Sequence, residues 1–117
     1  MLFHLPTPPV IIDKPTHPLF VYGTLQNPLT QITVFGRYDS GIPDILFGYR
    51  RELISLGRGM YPSLQPDQND FVTGLRIAVT PQELDLIDDY ETSAYHRTEL
   101  TLRSGHQCWV YMQASQA

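Results

Sequence analysis

Disulfide staples are out of reach of this sequence, which holds one cysteine, Cys108. A lone thiol closes no internal disulfide, so the chain must fold on its apolar residues, and it suits a reducing, cytoplasmic setting. Cys108 itself reads as a small core residue of the run Cys108–Met112. Basic residues are sparse. Eight Lys and Arg stand against twelve Asp and Glu, for a net charge of -4, and only Arg50 and Arg51 adjoin. Without a basic stripe, nucleic acid is not an expected partner. No apolar run approaches the roughly 20 residues of a membrane helix. Met1–Pro6 lacks the basic start and cleavage site of a signal peptide, so a membrane is not an expected partner either. The four histidines, His4, His17, His96 and His106, have no metal-ligand spacing. There is no Gly-Xaa-Ser-Xaa-Gly nucleophile elbow and no phosphate-binding glycine loop. Metal, cofactor and serine-hydrolase chemistry are therefore not expected.

What is present is one domain's worth of chain: 117 residues, 42% of them hydrophobic. A domain of that size buries roughly two-thirds of its unfolded surface, enough for a real core. Residues 1–18 carry Pro6, Pro8, Pro9, Pro15 and Pro18. That density prevents a helix and suits an extended leader, in which Val10–Ile12 could add an edge strand or an interface contact. The domain proper is expected over residues 19–117.

Leu19–Tyr22 reads as a buried strand ended by Gly23-Thr24. Asn27-Pro28 starts a helix, with Pro28 at the first helical position, and Gly36 stops it. Residues 42–56 read as strand with a bend near Gly48. An irregular loop is expected at Gly57–Pro62, a turn at Pro66–Asp70, and a strand from Phe71 to Val79. Pro81–Glu91 reads as a helix. Two strands follow, Tyr95–Arg103 and Gln107–Met112, joined by a turn at Ser104-Gly105. Many short strands and few helices predict an α+β fold, either a small barrel or a strongly bent sheet with helices at its rim.

The helix at Pro81 holds the most telling residue. At about 100° per residue, Leu84, Ile87 and Glu91 share one side, while Asp85, Asp88 and Asp89 are read on the other. One carboxylate thus stands on the apolar stripe. Desolvation, with the negative end of the helix adding to it, raises the pKa of such a group toward neutrality, where proton shuttling is efficient. Tyr22-Gly23-Thr24-Leu25 forms a second candidate segment, because a glycine after a buried strand lets backbone amides approach an anion. Gly59–Leu64, with Tyr61 at its centre, could wall a pocket. Tyr95 and Arg97 share one face of the next strand. Taken singly, each segment also fits an ordinary turn, a core tyrosine or a surface ion pair.

Taken in order, the segments resemble the γ-glutamylcyclotransferase-like family, and within it the avirulence-induced-protein branch. The resemblance rests on Leu19-Phe-Val-Tyr-Gly-Thr-Leu25, Gly48-Tyr49-Arg50, Tyr61-Pro62-Ser63-Leu64, Val72-Thr-Gly74 and Thr80-Pro-Gln-Glu-Leu84. Tyr90-Glu91, Tyr95-His-Arg97 and Trp109-Val-Tyr111 complete it. It implies a small mixed β-barrel ringed by a few short helices, with a single cavity. It implies Glu91 as the acid/base residue, the Tyr22–Leu25 loop as the glutamyl-binding element, and Tyr61, Tyr95 and Arg97 as further substrate contacts. The implied reaction, of acyltransferase or amine-lyase type, splits a small-molecule γ-glutamyl amide into 5-oxoproline and a free amine without metal or cofactor. A non-catalytic binding module, or a related acyltransferase taking an elaborate γ-glutamyl conjugate, would use the same pocket. Monomer and homodimer are both compatible. One departure stands out: relatives often carry glycine after the glutamate, where this chain has Thr92.

Overall fold

The computed structural model describes residues 14–113. The proposed contact through Val10–Ile12 lies outside the described residues. Five strands form one mixed sheet: β1 (His17–Val21), β2 (Ile42–Leu56), β3 (Gly59–Val79), β4 (Tyr95–Thr101) and β5 (Gln107–Gln113). Two helices accompany it, α1 (Pro28–Phe35) and α2 (Pro81–Glu91), with a 3-10 turn at Thr24–Gln26. The strand order is β2-β3-β1-β5-β4, antiparallel except for β1 against β5. The sheet curls into a half-barrel, the more open of the two forms the pattern allows.

β1 is central, and its alternation separates two cores. Leu19 and Val21 pack with Phe35, Ile77, Val79, Leu84 and Ile87 beneath the helices. Phe20 and Tyr22 point the other way, into the curl, with Leu46, Leu64, Val72, Leu102, Cys108 and Val110. Cys108 is 1% exposed, and burial pushes its thiol up to about 11, so it is a core residue rather than a nucleophile. β1 takes in His17 and Pro18, read above as leader. The proline is tolerated because the parallel ladder to β5 begins only at Leu19.

Gly74 lets β3 pass close against the end of β1. A Cβ at that position would stand 2.4 Å from the Val21 carbonyl oxygen and 2.8 Å from the Phe20 ring. At one end the outer strands meet: the Arg103 amide donates to the Ile45 carbonyl at 2.8 Å, joining the β4–β5 turn to β2.

Two expectations need correction. The stretch Gly57–Pro62 is not an irregular loop: β2 and β3 form one long hairpin, paired from Leu56 with Gly59 onward. Gly57, Gly59 and Pro62 lie in exposed or half-exposed positions, where a missing donor or side chain costs little. Pro66–Asp70 does not end a strand. The register steps from Phe47 opposite Phe71 to Tyr49 opposite Pro66, which leaves Gly48 facing residues 67–70. The turn chemistry survives inside that bulge, since the Asp67 and Asp70 carboxylates accept the amides of Asn69 and Phe71.

Among the described residues no helix is long and apolar enough to cross a membrane.

Candidate active site

Helix α2 brings the acid to the sheet. Thr80 and Glu83 close a capping box at its start. The Arg37 guanidinium grips Glu83 at 2.6 and 2.7 Å and the Ala78 carbonyl at 2.7 Å, which ties the helix start to the end of α1 and to β3. Leu84 and Ile87 are buried, and Glu91 follows one turn later on the same face. The helix then stops abruptly. Thr92 has φ 64° and ψ -176°, the one left-handed backbone among described non-glycine residues. A β-branched residue seldom accepts that conformation. Glycine would rest at this position without strain.

The second element is the turn after β1. Asn27 and Gln26 amides bond back to Thr24 and Gly23 carbonyls at 3.0 and 3.1 Å. The amides that open such a turn have no carbonyl within it to reach. Gly23 packs against Pro62, whose Cγ would lie 3.1 Å from a Cβ placed there. Gln31, fully buried on α1, donates to the Leu25 carbonyl at 2.9 Å and accepts the Asp39 amide at 2.8 Å. α1 is held in turn by Asn27, which caps the Leu29 and Thr30 amides, and by Gly36 at φ 81°.

Between the two elements lies a cavity of about 360 Å³, within the range of small-molecule sites. It gathers Glu91, Tyr22, Gly23, Thr24, Leu25, Tyr61 and Tyr95. Phe20, Val21, Pro62, Tyr90, Thr92, Ala94 and Tyr111 complete the wall. Arg97 is not among the lining residues of this cavity.

Among the described residues the Glu91 carboxyl has no hydrogen-bond partner; burial alone pushes it up to about 7. The Tyr22, Tyr95 and Tyr111 phenols are all raised, first by burial, and each feels the Glu91 charge. Their hydroxyls are committed elsewhere: Tyr22 donates to the Tyr111 carbonyl, and Tyr95 to the Pro62 carbonyl at 2.8 Å. Tyr90 and Thr24 hydroxyls meet at 2.7 Å, joining the end of α2 to the glycine turn.

Asp88, read above on the side of the helix away from the apolar stripe, is bound. Arg97 donates to its two oxygens at 2.7 and 2.9 Å, and the Tyr111 hydroxyl donates to it as well. The error comes from helix geometry: position 88 is four after Leu84 and three before Glu91, so it flanks the stripe instead of opposing it. Tyr111 and Gln31 were missed because the first depends on strand order and the second on a buried amide. Neither leaves a local pattern.

The fold and site define a class: a curled mixed sheet whose concavity holds one acid without a partner among the described residues, opposite a glycine turn and walled by aromatics. The chain belongs to the gamma-glutamyl cyclotransferase, AIG2-like family, whose model matches residues 19–117. AIG2-like protein C of Arabidopsis thaliana is 33% identical over 89 residues, 75% of this chain and 51% of that protein. The chain thus spans about half the length of this curated relative. An Arabidopsis thaliana protein solved in solution matches with a TM-score of 0.73 at 25% identity, over 87% of this chain and 65% of its own. A solved gamma-glutamyl cyclotransferase shares the fold, with a TM-score of 0.60 at 13% identity, over 84% of this chain and 66% of its own.

Proposed function

We propose that this protein is a γ-glutamylcyclotransferase, acting on a γ-glutamyl amide to release 5-oxoproline and a free amine. The observation that carries the reading is the Glu91 carboxyl: desolvated, without a hydrogen-bond partner among the described residues, and poised at about 7 inside the cavity. Such a group suits one task well, namely taking and returning a proton near neutral pH.

The chemistry needs that and little more. The substrate's α-amine attacks its own γ-carbonyl carbon. A C–N bond forms to close the five-membered lactam, and the original amide C–N bond breaks. Glu91, entering as the carboxylate, accepts the proton shed by the α-nitrogen. It then delivers that proton to the departing amine, so no water is consumed and the carboxylate is regenerated. The amides opening the turn at Thr24 and Leu25 are suited to the α-carboxylate or to the oxyanion of the tetrahedral intermediate. The aromatic walls would hold the glutamyl chain folded on itself, raising the population of the reactive conformer.

The test is a panel of γ-glutamyl amines, dipeptides and larger conjugates, with 5-oxoproline followed by mass spectrometry. Release from at least one amide is expected, with kcat/KM rising with pH through about 7 as Glu91 ionises. Tight binding of glutamate-like ligands with no product from any amide would point to a non-catalytic binding module.

A further inference from the structure

Arg97 stands outside the cavity, and its guanidinium is engaged there. Its guanidinium forms a two-pronged pair with Asp88 at 2.7 and 2.9 Å and lies over the Trp109 ring, 4.7 Å from the centroid. The planar fork matches a carboxylate and stacks on an aromatic face in one geometry, which a lysine could not reproduce. Asp88 also accepts the Tyr111 hydroxyl, and the Tyr111 carbonyl accepts the Tyr22 hydroxyl. The linkage thus runs from β4 through α2 to β5 and on to the residue after β1.

Asp88 stands three residues before Glu91, in the last turn of α2. The Asp88 carbonyl accepts the Thr92 amide at 3.0 Å, and beyond Thr92 no helix continues to hold Glu91. Burial would raise the Asp88 carboxyl, but the hydrogen bonds from Arg97 and Tyr111 hold it below the usual carboxylate range. Asp88 is therefore ionised whenever Glu91 is at work, and Arg97 offsets that charge.

We infer that Arg97 is a positioning residue: through Asp88 it clamps the last turn of α2 onto β4 and β5 and so aims the Glu91 carboxyl into the cavity. Its effect on turnover rests on the cyclotransferase reading above; its effect on where the carboxyl sits does not.

Arg97→Gln in the whole chain tests this with two independent readouts. The first is turnover of a γ-glutamyl nitroanilide. A positioning role lowers kcat about 10- to 30-fold with KM changed less than about twofold, because the binding walls stay in place. The second is the titration of the Glu91 carboxyl by carbon NMR. Tyr22, Tyr95 and Tyr111, whose phenols face this charge, are all retained. Freed from the clamp, the last turn lets the carboxyl reach water, and its titration moves down from about 7 toward the ordinary carboxylate range. Charge alone predicts the opposite sign, since losing the cation leaves Asp88 unopposed and moves it up. Asp88→Asn should reproduce the kcat loss, and the double variant should add little to either single one.

A rise in KM of tenfold or more with kcat intact would make Arg97 a substrate contact and overturn the inference. An unchanged or upward Glu91 titration overturns it as well. If Arg97→Gln fails to fold, Tyr111→Phe removes one hydrogen bond from Asp88 and must give smaller changes of the same sign; no change there also overturns it. A wild-type protein that splits no γ-glutamyl amide would sink the cyclotransferase reading alone, and the Glu91 titration would still decide the role of Arg97.

Discussion

Two carboxylates in this fold are both pulled upward by burial, yet they end on opposite sides of the usual carboxylate range. Asp44, where the outer strands meet, is 8% exposed, yet its carboxyl is held below the usual range. Burial pulls it upward, but the Ser104 hydroxyl at 2.5 Å, the Ile45 amide at 2.8 Å, Arg76 at 3.2 Å and the Ser104 amide at 3.4 Å all donate to it. Glu91 is pushed up to about 7 by burial, because no donor among the described residues offsets it. Burial raises both carboxyls, and the presence or absence of donors sets the net direction. One acid has become a structural hub, and the other is left reactive.

The largest effect should separate the two acids by function. Glu91→Gln is expected to cut 5-oxoproline release by roughly 10²- to 10⁴-fold while the thermal transition stays cooperative. Asp44→Asn is expected to leave turnover within about threefold. Comparable losses in both variants would end the assignment of proton transfer to Glu91.

Stability should separate them in the reverse sense. Asp44→Asn replaces an acceptor-only group with one that offers N–H to existing donors, and should cost about 2–4 kcal/mol at pH 7 in denaturant titrations. Because its folded pKa is lowered, that contribution is complete above the ordinary aspartate pKa and is lost as pH falls through the lowered one. Glu91 has the opposite sign. Its folded pKa is raised, so the native state binds the proton more tightly than the unfolded chain. Stability then declines as pH rises from about 4.5 to about 7. Glu91→Gln should accordingly be more stable than wild type by about 1–3 kcal/mol at pH 8, with the advantage gone at pH 4. Equal stability at both pH values would show that the carboxyl is not desolvated.

The smallest change concerns the turn that delivers Glu91. Thr92→Gly should raise stability by about 1 kcal/mol, strain relief being partly offset by the added freedom of the unfolded chain. A destabilised Thr92→Gly would mean that the Thr92 hydroxyl, which accepts the Ala94 amide at 3.3 Å, matters more than the backbone angle.

The parts legible in the sequence were those written locally. Asn27-Pro28 and Gly36 bracket α1, Thr80-Pro81 starts α2, and the Leu84–Ile87–Glu91 stripe carries the acid, because caps and helical periodicity repeat within a few residues. The β2–β3 hairpin was broken too early, since proline and glycine were read as breakers without knowing that they lay in exposed positions. The clamp on Asp88 was hidden for a different reason. Its partners Arg97 and Tyr111 are brought to it by strand order, and Tyr111 is 23 residues away. Sharing a strand face with Tyr95 did not bring Arg97 to the cavity: Tyr95 reaches the wall, while Arg97 is taken by the helix.

The parallel pairing of β1 with β5 has a consequence for how the molecule is made. The central strand finds one neighbour only when Trp109 and Val110 reach Leu19 and Phe20, a loop closure spanning most of the chain. Such distant pairing slows folding. On the ribosome, the sheet's middle would stay open until nearly all of this segment had emerged, leaving a hydrophobic edge that a chaperone or a second nascent chain could reach first.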